Sequence, residues 1–330
     1  MKHARLDLAR NAELLPQLSG TIGVFGQMDV DRLRGLLDLD LACESSSFVT
    51  NTALKAAGIR VDPVQSDPFE HAIVFLPRAK AEAQHLIAKA INQTPDGWII
   101  VDGQKTDGIE SIAKQIAREV PSISNYSKAH GKTIWFRASD AIALKQWQSE
   151  PQQNADGFVT APGVFSSDGI DPASALLLEH IPTDLKGTAV DLGAGWGFLS
   201  AGVLARAPAI QTLHLVEDNA AALDCARTNV KDVRAQFHWN DALSWRVRDQ
   251  VQTVIMNPPF HVSRSAEPSL GVRFIEAAAK MLKPAGKLYM VANAHLPYEA
   301  ALEEAFKSVE VIERTNKFKV FCAERGRVKV

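Results

Sequence analysis

The chain has 330 residues, 46% of them hydrophobic and 22% charged, with a formal net charge of −2. That length and composition fit a soluble globular protein of about two domains, and the near-neutral balance excludes a chain that holds nucleic acid by bulk charge. No apolar run approaches the roughly 18 residues that a membrane span needs, and Lys2, Arg5, Asp7 and Arg10 have no long apolar segment behind them, so neither anchor nor signal peptide is expected.

In chain order, residues 21–25 read as a strand and 29–39 as a helix, with Leu33, Leu36 and Leu37 at helical spacing. Strand 71–76, helix 80–91, strand 98–101, helix 109–120 and strand 133–136 follow. Strands alternating with helices imply an α/β layer with a mostly parallel sheet. Gly23-Val-Phe-Gly26 is not part of an acid–Gly–x–Gly–x–Gly series, so this half is expected to lack a cofactor turn. The polar stretch 149–157, with Pro151 and Gly157, is the expected boundary, giving domains 1–150 and 151–330. No internal repeat of fixed short period is visible.

The second half alternates again. Asp171-Pro172 caps and opens a helix through Leu176, Leu177 and Leu178. Strand 188–192, helix 198–205, strand 212–216, helix 219–229 and strands 235–239 and 251–256 come next. A helix over 273–282 stops at Lys283-Pro-Ala-Gly286, ahead of strand 287–292. Residues 309–313 and 317–322 suit an antiparallel pair at one edge.

Cys43, Cys225 and Cys322 have the spacing of neither a zinc site nor a disulfide framework, so reduced thiols in a cytosolic protein and no metal are expected. From Arg314 onward, Arg314, Lys317, Lys319, Arg325, Arg327 and Lys329 face a single acid, Glu324. That run suits either a solvated edge or an RNA-facing patch.

Asp191-Leu-Gly193-Ala-Gly195-Trp-Gly197 follows the first strand of the second half, where open α/β sheets bind ligands. Glycines allow a tight turn and close ligand approach, and the next helix offers N–H groups to an anion. Asp191 would repel a pyrophosphate and suits the ammonium of a methionine-like group. Glu217, ending the second strand, can take two ribose hydroxyls, and Asp241, after the third, can accept from an adenine amine. With Gly193, Ala194 and Gly195, this series describes S-adenosyl-L-methionine better than a nicotinamide dinucleotide.

Asn257-Pro258-Pro259-Phe260-His261 closes the strand over 251–256. A conjugated exocyclic amine is a poor nucleophile. The Asn257 side-chain oxygen and the Pro258 carbonyl can accept its two N–H bonds and aim its lone pair at a methyl donor, so Asn257, Pro258 and Phe260 are the candidate catalytic set. Positioning and fixed dipoles then supply most of the rate gain. Phe260 offers a face for a planar base, and His261 either contacts substrate or caps the turn. A paired base cannot reach such a pocket without being flipped out or already unstacked. Phe165, in Gly163-Val-Phe165-Ser166-Ser-Asp168-Gly-Ile-Asp171, belongs to a run that either folds over the cofactor or serves as an entry loop with a helix cap. His295, in Asn293-Ala-His295-Leu-Pro297-Tyr298, lies at the same sheet end and suits a pocket wall.

These runs, together with Lys317-Phe-Lys-Val320 and Phe75-Leu-Pro-Arg-Ala-Lys-Ala-Glu-Ala83, resemble the bacterial ribosomal RNA guanine-N2 methyltransferases, and among them the type C enzymes of the small subunit, which methylate guanine 1207 of 16S rRNA. The resemblance covers most of the chain. It implies two methyltransferase-like, Rossmann-type domains with mostly parallel sheets, only the C-terminal one holding S-adenosylmethionine, and an N-terminal domain that supports folding or RNA binding. It implies Asp191, Gly193, Gly195, Glu217 and Asp241 as cofactor residues, and Asn257, Pro258 and Phe260 as holders of the guanine amine. The expected partner is 16S rRNA in the 30S subunit, and the expected state is a cytoplasmic monomer. Two departures stand out: Ala194 where relatives often carry Cys, and Thr315-Asn316-Lys317-Phe318, which leans toward the sister enzymes of 23S rRNA.

Rival readings are a 23S rRNA guanine-N2 methyltransferase, a protein-glutamine N5 methyltransferase and a non-catalytic RNA-binding assembly factor. The glutamine enzymes have short helical N-terminal domains, unlike the α/β pattern here. A scaffold need not keep Asp191, Glu217 and Asn257 together.

Overall fold

The computed structural model describes residues 5–248, 250–259 and 268–326. The chain divides into two compact units, Met1–Glu150 and Pro151–Val330.

The first unit contains α1 (Arg5–Asn11), β1 (Thr21–Gly26), α2 (Val30–Leu33), β2 (Asp40–Glu44), α3 (Phe48–Ala56), β3 (Arg60–Asp62), β4 (His71–Phe75), α4 (Lys80–Gln93), β5 (Trp98–Gln104), α5 (Ile109–Glu119), β6 (Ser124–Lys128) and β7 (Gly131–Arg137). Its sheet runs β3-β2-β1-β4-β5-β7-β6, with β7 antiparallel to both neighbours and the other pairs parallel. Successive strand side chains point to opposite faces. Ile22, Val24, Ile73 and Ile100 pack with Leu6, Leu33 and Leu54 on one face. Phe25, Val74, Ile99 and Val101 pack with Ile87, Ile91, Ile112 and Ile116 on the other.

The helix expected over 29–39 is shorter. Asp29 caps α2 by accepting from the Arg32 N–H, and a 3₁₀ turn, Arg34–Leu36, follows. Gly35 sits there against Asp7, whose Oδ1 would lie 2.1 Å from an added Cβ. Glycine weakens a helix interior, and the chain turns into β2. The sequence reading also lacked β2, α3, β3 and β6.

One buried polar cluster closes the carboxyl end of this sheet. Asp102 accepts from Arg5 Nε and Nη2, each at 2.9 Å, from Arg32 Nη2 at 3.1 Å and from Thr133 Oγ1 at 2.6 Å. Arg32 also donates to the Gln27 carbonyl at 2.8 Å and lies 4.1 Å over the Phe75 ring.

The second unit opens with a two-stranded hairpin, β8 (Gln152–Gln153) and β9 (Val159–Thr160), then α6 (Pro172–His180), β10 (Gly187–Leu192), α7 (Phe198–Arg206), β11 (Ile210–Glu217), α8 (Ala220–Asn229), β12 (Ala235–Trp239), β13 (Val251–Met256), α9 (Pro268–Met281), β14 (Leu282–Asn293), α10 (Glu299–Ala305), β15 (Ser308–Arg314) and β16 (Phe318–Glu324). The main sheet runs β12-β11-β10-β13-β14-β16-β15, again with a reversed pair at one end. Both units therefore share one strand order. Ala189, Leu213, Ile255 and Val291 meet Leu177, Leu199, Val203 and Ala226 on one face. Val190, Val254, Leu288 and Met290 meet Ile275, Ala278 and Leu302 on the other.

β14 starts earlier than expected. α9 ends at Met281, within one residue of the expected stop, but the pairing with β13 jumps from Val251↔Leu282 to Thr253↔Lys287, so Lys283-Pro-Ala-Gly286 loops out within the strand rather than preceding it. Ala285 takes a φ of 63°, and its N–H donates to the Arg325 carbonyl at 2.9 Å. Among the described residues, no helix is long and apolar enough to cross a membrane.

Candidate active site

β10 ends at Leu192, and the glycine turn carries the chain into α7. Gly193, Gly195 and Gly197 have φ of 77°, 54° and 89°. At Gly197 an added Cβ would lie 2.8 Å from Val230 Cγ2, so the close packing of α7 on α8 requires glycine. At Gly195 it would meet nothing within 4 Å, so this peptide stands open to a ligand.

Glu217, the last residue of β11, is drawn to that turn. Its Oε2 accepts from the Gly195 N–H at 2.8 Å and its Oε1 from the Asn219 N–H at 2.9 Å. Each oxygen keeps a second lone pair for a hydroxyl. Burial raises its pKa, while the two N–H bonds pull it back.

Asp191 lies beneath the turn, 1% exposed. Ser200 Oγ, from α7, donates to Oδ2 at 2.6 Å, while Oδ1 is buried with no partner. Burial pushes this carboxyl up to about 7. A buried acceptor without a donor is costly, and a cationic group would relieve it. The donor set thus fits the ammonium of S-adenosylmethionine, and the open Gly195 peptide and the Glu217 carboxylate fit the rest of its amino-acid and ribose portions.

Asp241 follows β12, next to β11 in the sheet. Its Oδ1 accepts from the Leu243 N–H at 2.9 Å, so it caps its own turn.

Asn257 follows β13. Its Nδ2 donates to Asp171 Oδ2 and to Ser174 Oγ, both at 2.9 Å. A carboxylate only accepts, so the nitrogen end of the amide must face α6, and Oδ1 is the remaining acceptor. Asp171 also caps α6, accepting from the Ser174 N–H at 2.8 Å. Pro258 is buried and Pro259 exposed. Phe260 and His261 lie outside the described residues.

Gly193, Ala194, Gly195, Phe165 and Asn257 line one cleft. In the 163–171 run, Phe165, Ser166 and Asp171 line that same cleft, and Asp171 at its end is also the cap of α6. Trp196 Nε1 donates to the Phe165 carbonyl at 3.0 Å, and the Trp196 ring packs on Phe158 at 5.0 Å. Ser166 has a φ of 52° and donates from Oγ to the Gly169 carbonyl. The Phe165 side chain is left 67% exposed.

His295 is not brought to this cleft. It lines a separate, shallow groove with Asn293, Asn316, Lys317 and Phe318. Its sheet end is the expected one, but the chain beyond Asn293 turns toward the β15–β16 connection, where the Ala294 N–H donates to the Lys317 carbonyl at 2.7 Å. Sequence reasoning missed Ser174, Trp196 and Ser200 as site residues, and read Asp171 only as a helix cap. Asp171 and Ser174 do carry a local signal, the cap and its third helical position, but not the link to Asn257.

Residues 156–322 match the Methyltransferase small domain family, and residues 43–150 match Methyltransferase small domain N-terminal. The ribosomal RNA small subunit methyltransferase C of Shewanella loihica is 32% identical over 270 residues, covering 78% of each chain. That of Salmonella newport is 31% identical over 259 residues, covering 76% of this chain and 74% of the relative. The chain belongs to the ribosomal RNA small subunit methyltransferase C family. The T. thermophilus 16S rRNA N2 guanine-1207 methyltransferase, solved with AdoMet and guanosine, superimposes with a TM-score of 0.77 at 22% identity, covering 94% of this chain and 89% of that one. The methyltransferase fold of the family thus extends through both units, and the cofactor cleft belongs to the second, small-domain unit.

Proposed function

We propose that this protein transfers a methyl group from S-adenosylmethionine to the exocyclic N2 amine of a guanine in ribosomal RNA, guanine 1207 of 16S rRNA within the small subunit. The observation that carries this reading is the Asn257 amide, fixed by its nitrogen at the wall of the glycine-turn cleft with its oxygen left to accept. The named activity of the family's members supports the choice of substrate.

S-adenosylmethionine, when bound, supplies a methyl group already activated by its sulfonium. Asp191 would hold the ammonium of the cofactor, the backbone of Gly193, Ala194 and Gly195 its amino-acid portion, Glu217 the ribose hydroxyls and Asp241 the adenine amine. Asn257 Oδ1 and the Pro258 carbonyl accept the two guanine N–H bonds. That orientation keeps the nitrogen lone pair off the ring and in line with the methyl group, so positioning and fixed dipoles carry the rate. The amine loses its proton only after methylation, so no strong base is needed. Phe260 and Phe165 provide faces for the extruded base, His261 is a further candidate contact to it, and His295 with Lys317 lines a separate groove. The first unit supports folding or RNA binding without a cofactor of its own, and the protein acts in the cytoplasm as a monomer.

The test uses labelled S-adenosylmethionine with undermodified 30S subunits, 50S subunits and their naked RNAs. The expected product is N2-methylguanosine in 16S RNA at position 1207. Label in 23S RNA would move the substrate to the large subunit, and absence of label from every RNA would overturn the reading.

A further inference from the structure

We infer that Asp171 and Ser174 are positioning residues that set the direction of the Asn257 amide and polarise it, an inference that rests on the catalytic part assigned above to Asn257.

An asparagine amide can face either way, and its two ends carry opposite chemistry. Only the oxygen can accept from a substrate amine; the nitrogen would repel it. At Asn257 two acceptors on α6 decide the direction. Asp171 Oδ2 and Ser174 Oγ each take one hydrogen of Nδ2 at 2.9 Å. The reversed amide would point its oxygen at a carboxylate with no hydrogen to give. Ser174 is 8% exposed and Asn257 half-buried, so water competes poorly for these bonds. The carboxylate itself is held, because the same Oδ2 accepts from the Ser174 N–H at 2.8 Å as the cap of α6. The first turn of α6, which begins 85 residues before Asn257, therefore aims a side chain at the end of β13. A charge-assisted bond to the nitrogen end also draws electron density toward Oδ1 and strengthens it as an acceptor.

The variant that separates capping from positioning is Asp171→Ser. Serine is as good a cap as aspartate, but it is too short to hold Asn257 as well. Side-chain amide NMR of Asn257, assigned by the pair of signals lost in Asn257→Ala, reads the geometry without any substrate. The wild-type pair should exchange with solvent at least about tenfold more slowly than exposed asparagine amides, and Asp171→Ser should markedly reduce that protection. With RNA substrate, Asp171→Ser should lower kcat about 10- to 100-fold, leave cofactor affinity within about threefold, and be partly restored in Asp171→Asn, which keeps an acceptor but not the charge. In an Asn257→Ala background, Asp171→Ser should have no further effect. An unprotected wild-type amide, a cofactor affinity that falls as far as kcat, or an undiminished effect in the Asn257→Ala background would each overturn the inference. If the wild type labels no RNA, the functional reading falls, and the NMR result still decides whether Asp171 and Ser174 hold the amide.

Discussion

The two units share one strand order and differ at the carboxyl ends of the strands. In the second, Asp191 stands one residue before the end of β10 and Gly193 just past it. In the first, the same places on β1 hold Phe25 and Gln27. Past β13 stands Asn257; past β4 stands Leu76, and a proline follows each. Both second strands end in glutamate, but Glu217 keeps capacity for a ligand, whereas Glu44 is taken by Lys89 Nζ at 2.7 Å and by the Gln65 N–H at 2.7 Å. The first unit places its own cation, Arg32, over Phe75 and against Asp102. The second leaves a buried acceptor, Asp191 Oδ1, without one. At the strand ends, then, the buried carboxylate of the first unit, Asp102, has cations of its own, whereas that of the second, Asp191, has one oxygen without a partner.

The largest effect should come from breaking the internal solution. Asp102→Ala strands Arg5 and Arg32 in the core and should destabilise the first unit by about 3–5 kcal/mol, read by chemical denaturation. Converting the second unit toward the first comes next. Asn257→Leu, the residue found at the matching place, should lower kcat about 10²–10³-fold with cofactor binding retained, read by single-turnover methyl transfer and calorimetry. Equal loss of both would make Asn257 mainly structural.

The third prediction concerns pH. Asp191 is pushed up to about 7 by burial. Without a ligand its protonated form is preferred in the fold, a stabilisation present below its ordinary range and lost as pH rises through about 7. A cationic ligand needs the ionised form. Cofactor affinity should therefore fall up to about tenfold per pH unit below 7, with proton release on binding, and Asp191→Asn should flatten the profile. The smallest effect is at Gly195→Ala. The new Cβ enters open space, so only the left-handed φ of 54° is strained, costing about 1–2 kcal/mol. A larger loss of cofactor affinity than of stability there would mark the turn as a contact surface.

The second unit was more legible than the first for a physical reason. β13 is buried and bounded by turn residues, β12 alternates enough at its edge position to be read to the residue as well, and the glycine turn announces itself. In the first unit, β6 reads Ser-Asn-Tyr-Ser-Lys and is exposed on both faces except at Tyr126, so an edge strand left no apolar period to detect. Asp40–Glu44 follows directly on the helix read over 29–39 and, being only five residues long, was left without an element of its own. At the site, Asp191, Glu217 and Asn257 could be singled out because each stands within one residue of a strand end. Ser200, Trp196 and Ser174 were not, because their bonds to Asp191, Phe165 and Asn257 exist only once the helices dock. His295 shows the converse: it stands at the expected strand end, but the chain beyond β14 carries it into another groove.

The most direct test of this account is calorimetric titration of the whole protein with S-adenosylmethionine at pH 8. The account predicts one site per chain, lost in an Asp191→Lys variant, which replaces the buried acceptor with a cation, and unchanged by Arg32→Ala, each read on a preparation that remains folded. Two sites per chain, or one that survives Asp191→Lys, would contradict it.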